Sequence, residues 1–142
     1  ERIQSGDIVD LEGNVLGQHE GLPYYTVGQR KGLGLQNNEA LYVVDMDRHN
    51  NRLVVGPEKE LYSSGLVAEN CNWITGSPPE NKYHDVKIRY RADPIRARVD
   101  TSVNEARIKF SRPQKSVTPG QIAAIYDGDK LLGGGIIDRR IS

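Results

Sequence analysis

The sequence predicts an all-β protein, in which a small β-rich central module precedes a six-stranded antiparallel β-barrel. Three observations support this fold class. Short runs rich in β-branched residues alternate with turn residues, no segment shows a long amphipathic helical period, and 15 glycines and 7 prolines punctuate the 142 residues. The Ser-Ser-Gly of residues 63–65 marks a seam, so we expect a module of residues 1–62 and a barrel of residues 63–142.

The first module is predicted to contain two hairpins. The paired runs are residues 6–10 with 15–17, and residues 41–44 with 52–55. A Glu-Gly-Asn turn joins the first pair, and Asn50 and Asn51 lie in the connection of the second. Because asparagine hydrogen-bonds to nearby backbone and tolerates positive φ, these two residues predict the second turn.

The second half is a succession of six predicted strands at nearly even spacing. They are residues 66–74, 86–91, 95–99, 107–110, 121–126 and 130–137. Gly133, Gly134 and Gly135 fall within the last strand and lack the lysine and hydroxyl of a phosphate-binding loop. They therefore predict a bulge or a close approach of two backbones.

Charge is unevenly distributed along a chain that is neutral overall. Residues 1–62 have a net charge of −4 and residues 63–142 a net charge of +4. Nine basic residues and three acidic ones lie between residues 87 and 115. Since a basic patch is the electrostatic signature of a nucleic-acid partner, contacts with a polyanion are expected in the second half.

Three of the predicted barrel strands alternate basic and apolar residues. In residues 87–91, one face of the strand would hold Ile88 and Tyr90, and the other Lys87, Arg89 and Arg91. Residues 95–99 and 107–110 repeat the pattern, so adjacent strands would merge their basic faces into one stripe for phosphates. The alternative is that these residues only keep a barrel exterior hydrated. Tyr90 also has two interpretations, as a core side chain or as an RNA contact.

A glycine-rich segment, residues 19–35, predicts a shaped loop rather than a helix or strand. At its centre, Gln29, Arg30 and Lys31 place an amide and two cations beside flexible backbone, which suits phosphate or ribose oxygens. An ordinary hydrated turn is the alternative. Thr26 could begin a single helical turn through Arg30.

This loop begins a resemblance that extends over nearly the whole chain. Residues 21–35, Gly-Leu-Pro-Tyr-Tyr-Thr-Val-Gly-Gln-Arg-Lys-Gly-Leu-Gly-Leu, closely resemble a stretch of the tRNA 2-thiouridylases, the MnmA/TrmU family. Five further blocks follow the order of the family: residues 6–10, 41–45, 87–91, 117–121 and 133–137. Several blocks in one order are far more specific than any single motif.

The resemblance implies a fold and a set of contact residues. The barrel would be similar to the second domain of translation elongation factors. The Arg-Tyr pair and the glutamine with which the family contacts tRNA match Arg89, Tyr90 and Gln121. The loop formed by Gln29, Arg30 and Lys31 would touch RNA or the catalytic domain, and Lys87 and Arg91 would be further contacts.

The resemblance also implies that catalysis lies outside these residues. Family members activate the wobble uridine with ATP and Mg²⁺ and deliver sulfur from a cysteine persulfide. The sequence lacks their Ser-Gly-Gly-x-Asp-Ser loop and their two cysteines, so we expect an inactive fragment without cofactor or catalytic residue. Its expected partners are tRNA, an N-terminal catalytic domain and a sulfur-donor protein.

The remaining candidate residues favour structural roles. Cys71 lies in a predicted strand without a neighbour that would activate its thiol. His19, His49 and His84 are scattered without ligand-spaced partners, so no metal site is predicted. No nucleophile and base are paired, which argues against a hydrolase or transferase in the fragment itself.

A different class of function stays open from the sequence. The acidic first half also suits a protein-interaction adaptor that docks the catalytic domain or a sulfur carrier and hardly touches RNA. The sequence has no apolar run of about 20 residues and a single cysteine, so we expect a cytoplasmic protein without a membrane partner.

Overall fold

The computed structural model describes residues 3–35 and 40–142, and these residues form ten strands and two short 3-10 turns. The first four strands are β1 (Gly6–Val9), β2 (Val15–His19), β3 (Tyr42–Asp47) and β4 (Arg52–Gly56). The others are β5 (Tyr62–Trp73), β6 (Tyr83–Lys87), β7 (Ile95–Thr101), β8 (Ala106–Lys115), β9 (Ile122–Asp127) and β10 (Lys130–Ile141). The 3-10 turns are Leu22–Tyr24 and Glu58–Leu61. The predicted all-β fold class is confirmed.

The described residues divide into two compact units. The first extends to Tyr62 and also includes Lys115–Thr118, while the second comprises Ser63–Gln114 and Pro119–Ser142. Within the first unit, the Ser116 N–H donates to the carbonyl of Leu61 over 2.9 Å. The segment 115–118, assigned from sequence to the barrel, therefore belongs to the first unit. The division between the units falls at Tyr62 and Ser63, beside the predicted seam at residues 63–65, and strand β5 runs through these residues.

The first unit is built on a four-stranded mixed sheet in the order β2-β1-β4-β3. Strands β1 and β2 pair antiparallel, as do β3 and β4, so both predicted hairpins are confirmed. The two hairpins join through a parallel pairing of β1 with β4, in which Ile8 lies opposite Leu53. Both of these side chains are fully buried, and they pack with Val43, Val44 and Val55 in the core of this unit.

Polar side chains hold the turns of both hairpins. The carboxylate of Asp10 accepts hydrogen bonds from the backbone N–H groups of Glu12 and Asn14, each over 2.9 Å. These bonds, and above all the one donated by the Asn14 side chain, lower the pKa of Asp10. In the second hairpin, Asn51 adopts a φ of 54°, as expected of an asparagine turn.

The second unit contains a closed six-stranded antiparallel barrel in the order β10-β5-β8-β7-β6-β9. Because the barrel is closed, none of these six strands has an unpaired edge. Alternate side chains point into the barrel, which on β7 and β8 are Ala97, Val99, Ala106, Ile108 and Phe110. Their outward neighbours are polar or charged, so these strands present a hydrated outer face.

Glycines allow strand β10 to approach its neighbours closely. The backbone carbonyl of Ala123 occupies the space that a Cβ on Gly134 would need. The pairing of β10 with β5 also shifts register between Gly134 and Ile136, which marks an irregularity of the β-bulge type. The prediction of a bulge and close approach at the three glycines is confirmed.

Strand β6 differs from its prediction, which placed it at residues 86–91. It ends at Lys87 because Val86 pairs with Ile95, and residues 88–94 must then connect two antiparallel strands. The connection includes a turn in which the Ala92 N–H donates to the Arg89 carbonyl over 3.2 Å. The alternation in residues 87–91 is therefore wrong as a strand pattern beyond Lys87.

Candidate nucleic-acid interface

The pairing of β6 with β9 brings two distant parts of the sequence together. The strands are antiparallel, with Lys87 opposite Ala124, so the turn after β6 lies beside the start of β9. A concave surface of about 390 Å³ forms there. It is lined chiefly by Lys87, Arg89, Tyr90, Gln121, Ile122 and Tyr126, and we call it the β6–β9 surface.

The turn after β6 positions Arg89 and Tyr90. Ile88 is only 5% exposed and anchors this turn in the core, whereas Tyr90 is 90% exposed. The interpretation of Tyr90 as a core side chain is therefore wrong. An aromatic ring with nearly its whole area in water has no packing role here, so it is free to contact a partner molecule. Arg91 is exposed in the same turn but is not among the residues that line the β6–β9 surface.

Gln121 is held by its backbone and presents its side chain outward. Gly120 before it has a φ of 92°, which makes the sharp turn that glycine favours. The Gly120 N–H donates to the carbonyl of Ile137 over 2.7 Å, and the Ile137 N–H donates back to the carbonyl of Gln121 over 2.8 Å. The amide of Gln121 is exposed, and it can both donate and accept a hydrogen bond.

The positive charge of this surface lies beside aromatic rings. The Nζ atom of Lys87 is 5.9 Å from the centre of the Tyr126 ring, within the range of a cation–π contact. The guanidinium of Arg89 supplies a second cation on the same surface. Two cations, an amide and two tyrosine rings thus converge on one concave surface, a combination suited to phosphates, ribose hydroxyls and exposed bases.

The basic stripe predicted along β6, β7 and β8 is interrupted by carboxylates. Arg96 lies 3.6 Å from the carboxylate of Asp85, and Arg98 lies 3.0 Å from that of Asp100. Lys82 also reaches Asp100, over 3.2 Å. The hydrogen bond from Arg98, followed by that from Lys82, lowers the pKa of Asp100. Part of the positive charge counted in the sequence is therefore neutralised within the barrel surface.

The glycine-rich loop of the first unit uses its central glutamine to hold its own shape. The side-chain oxygen of Gln29 accepts from the Thr26 N–H over 3.1 Å, and its amide nitrogen donates to the Lys31 carbonyl over 2.8 Å. Thr26 and Gln29 close a turn rather than the predicted helical turn. The Arg30 guanidinium lies 6.0 Å from the centre of the Tyr42 ring. Arg30 and Lys31 are the exposed members of the predicted trio.

Other reactive side chains have structural surroundings. Burial, and to a lesser degree the charge of Glu105, raises the pKa of the Cys71 thiol, which makes its reactive thiolate scarcer. In residues 3–35 and 40–142, no three His, Cys, Asp or Glu side chains group closely enough to hold a metal ion. Across the same residues, no helix has the length and apolar character that spanning a membrane would require.

Both parts of the chain match known protein-family models. Residues 2–57 match the tRNA methyl transferase PRC-barrel domain, and residues 63–137 match the aminomethyltransferase beta-barrel domain. With two β-rich units, one of which is a closed barrel, the chain is an all-β protein whose parts match two barrel-domain models.

Curated relatives identify the family. The chain is 46% identical over 142 residues to the tRNA-specific 2-thiouridylase MnmA of Geotalea uraniireducens, which covers 99% of this chain and 38% of the relative. It is 46% identical over 138 residues to that of Nostoc punctiforme (96% and 39%), and 44% identical over 143 residues to that of Carboxydothermus hydrogenoformans (99% and 39%). The chain belongs to the tRNA 2-thiouridylase family and spans about two fifths of the length of these relatives.

Proposed function

We propose that this chain is the tRNA-binding portion of a tRNA 2-thiouridylase and that the β6–β9 surface holds the tRNA. The observation that supports this most directly is the convergence of Arg89, Tyr90 and Gln121 on one concave surface. These residues are 32 positions apart at the extremes, and the pairing of β6 with β9 is what makes them neighbours. No requirement of the barrel core explains why their side chains share an exposed face.

Each side chain has a chemical role in this proposal. Arg89 and Lys87 neutralise backbone phosphates, for which arginine offers a planar fork of donors. The exposed ring of Tyr90 stacks on an unpaired base, as aromatic side chains do in single-stranded RNA recognition. Gln121 hydrogen-bonds to a ribose hydroxyl or phosphate through its amide.

For the whole protein, we propose the reaction that the names of its relatives state, 2-thiolation of tRNA. In this proposal a separate catalytic domain binds ATP with Mg²⁺, and a cysteine persulfide charged by a sulfur-donor protein supplies the sulfur to the wobble uridine in the cytoplasm. The 142 residues contain neither the Ser-Gly-Gly-x-Asp-Ser loop nor a second cysteine. The chain alone would therefore bind and position tRNA without modifying it.

A second candidate function rests on the first unit. Residues 1–62, which make up most of this unit, have a net charge of −4, and its loop presents Arg30 and Lys31 while Gln29 is engaged internally. These features suit an adaptor that docks the catalytic domain or a sulfur carrier. Such an adaptor would hardly contact RNA, whereas the first function requires RNA contact with the barrel.

The proposal is tested by titrating tRNA against the wild-type chain and the Arg89→Ala variant at two salt concentrations. Each phosphate contact contributes about 0.7 to 0.9 to the slope of log K against log salt. We expect Arg89→Ala to weaken binding and to reduce this slope by about one contact. Lys59→Ala, which removes an exposed cation from the first unit, is the control. Unchanged affinity and slope for Arg89→Ala would contradict the proposal.

A further inference from the structure

A second group of side chains on the barrel has the composition of an RNA contact. On the outer face of β6, β7 and β8, Tyr83 lies opposite Arg98, and Arg98 lies opposite Lys109. Neighbouring strands are about 4.8 Å apart, so the three residues form one row across three strands. The row lines a shallow concave surface of about 340 Å³, together with Arg96 and Ser111. We call it the β6–β8 row.

Lys109 is an unneutralised cation within this row. Arg98 is paired with Asp100, but the Lys109 side chain has no ion pair or hydrogen bond among the residues that the structure describes. Lys109 lies directly opposite Arg98, whose charge is offset by Asp100, so the row keeps one cation in excess. The arrangement is favourable once a polyanion lies across both side chains.

Tyr83 completes the row with an exposed ring. Its side chain is 51% exposed, and the Arg98 guanidinium lies 5.9 Å from the ring centre. Arg98 also hydrogen-bonds to the Tyr83 side chain, which orients the guanidinium beside the tyrosine. Cations beside an exposed tyrosine match the chemistry of an RNA backbone, whose 2′-hydroxyls and phosphates are the groups that proteins contact on paired stems.

We propose that Tyr83, Arg98 and Lys109 form a second RNA-binding site that contacts the sugar-phosphate backbone of a paired stem. This site rests on the proposed tRNA-binding function and adds to it residues that the family motifs do not include. The row offers cations and a hydroxyl but no amide side chain, so it suits backbone contacts without base readout. The β6–β9 surface, with Tyr90 and Gln121, would hold the unpaired part of the same RNA.

The test is a tRNA titration of the chain with Lys109→Ala and Lys109→Glu at several salt concentrations. Lys109 is exposed and has no ion pair among the described residues, so folding should be unaffected, which circular dichroism verifies. We expect Lys109→Ala to weaken binding about three- to tenfold and to reduce the salt slope by about one. Lys109→Glu should weaken binding further, and Lys59→Ala should match wild type.

Comparison with Arg89→Ala separates this inference from the proposed function. If Arg89→Ala weakens tRNA binding and both Lys109 variants bind like wild type, the β6–β8 row does not bind RNA. The proposed function then stands without the second site. If only the Lys109 variants weaken binding, the β6–β8 row binds RNA and the assignment of the β6–β9 surface is wrong. If Lys109→Ala leaves tRNA binding unchanged but reduces binding of polyglutamate, the row takes an acidic protein segment and the inference is overturned.

Discussion

The ammonium of Lys87 lies 5.9 Å from the centre of the Tyr126 ring, which connects the last residue of β6 to the outer face of β9. This contact fixes a cation at the wall of the concave surface that also holds Arg89, Tyr90 and Gln121. Because Lys87 is the point at which strand geometry gives way to a turn, it joins the rigid barrel to the exposed residues of the β6–β9 surface.

Tyr90 is expected to contribute binding energy without contributing stability. Stacking of one base on an aromatic side chain is worth about 1–3 kcal/mol, so Tyr90→Ala should weaken tRNA binding about 5- to 150-fold. Tyr90→Phe keeps the ring and should bind nearly as well as wild type. Since the side chain is 90% exposed, neither change should lower the melting temperature. Equal affinities of the Ala and Phe variants would contradict stacking.

We expect tRNA binding to be more sensitive to a negative charge at position 121 than to loss of the Gln121 side chain. Gln121→Glu keeps the size of the side chain but places an anion near the phosphates, so it should weaken tRNA binding more than Gln121→Ala does. The backbone bonds to Ile137 do not involve the side chain, so both variants should fold. The tRNA affinities of the two variants are measured by fluorescence anisotropy at low and high salt. A Glu variant that binds as well as wild type would remove Gln121 from the interface.

Gly134 is expected to tolerate no side chain. A Cβ there would overlap the backbone carbonyl of Ala123, and such overpacking costs about 1–3 kcal/mol. Gly134→Ala should therefore lower the midpoint of chemical unfolding. Gly17→Ala is the matched control, because its Cβ would meet only the end of the Leu35 side chain, which can move aside. If Gly17→Ala lowers the unfolding midpoint more than Gly134→Ala does, the close backbone approach at Gly134 is not what excludes a side chain there.

Asp47 is expected to contribute stability that disappears in acid. Partial burial alone would raise its pKa, but hydrogen bonds from Asn50 and Arg52 outweigh burial and lower the pKa. A carboxyl whose pKa is lowered by folding stabilises the native state above its unfolded value of about 3.9, and this contribution is lost as the pH falls through the folded value.

The Asp47→Asn variant measures that contribution. It should be less stable than wild type at pH 7 by up to about 1 kcal/mol, the range of a partly exposed ion pair. The difference should shrink below about pH 4, where the wild-type carboxyl becomes protonated. Urea unfolding at pH 7, 5 and 3 provides the measurement. A difference that is independent of pH would contradict the role of the charge.

Local pattern was sufficient to predict most of the fold. The alternation of inward and outward residues on β7 and β8, and the asparagine turn at Asn51, follow from short-range physical chemistry. The parallel pairing of β1 with β4 did not, because it joins two hairpins through residues 45 positions apart that leave no local signal.

The candidate surface was predictable only in part. The motifs indicated Arg89, Tyr90 and Gln121 by resemblance. Alternation, however, wrongly extended β6 through Arg89 and Tyr90, since it carries no information about where a hairpin must turn. The count of basic residues began at Lys87 and so excluded Asp85, which pairs with Arg96. The unpaired state of Lys109 depends on which strands are neighbours, and this is knowable only from the barrel order.

The most direct test of tRNA binding by the β6–β9 surface is to map backbone amide chemical shifts of the chain as a tRNA anticodon arm is added, and then as a sulfur-carrier protein is added instead. We expect RNA to perturb residues 87–92 and 119–126, on the β6–β9 surface. Perturbations confined to residues 1–62, and seen only with the protein, would contradict tRNA binding by this surface and identify the chain as an adaptor.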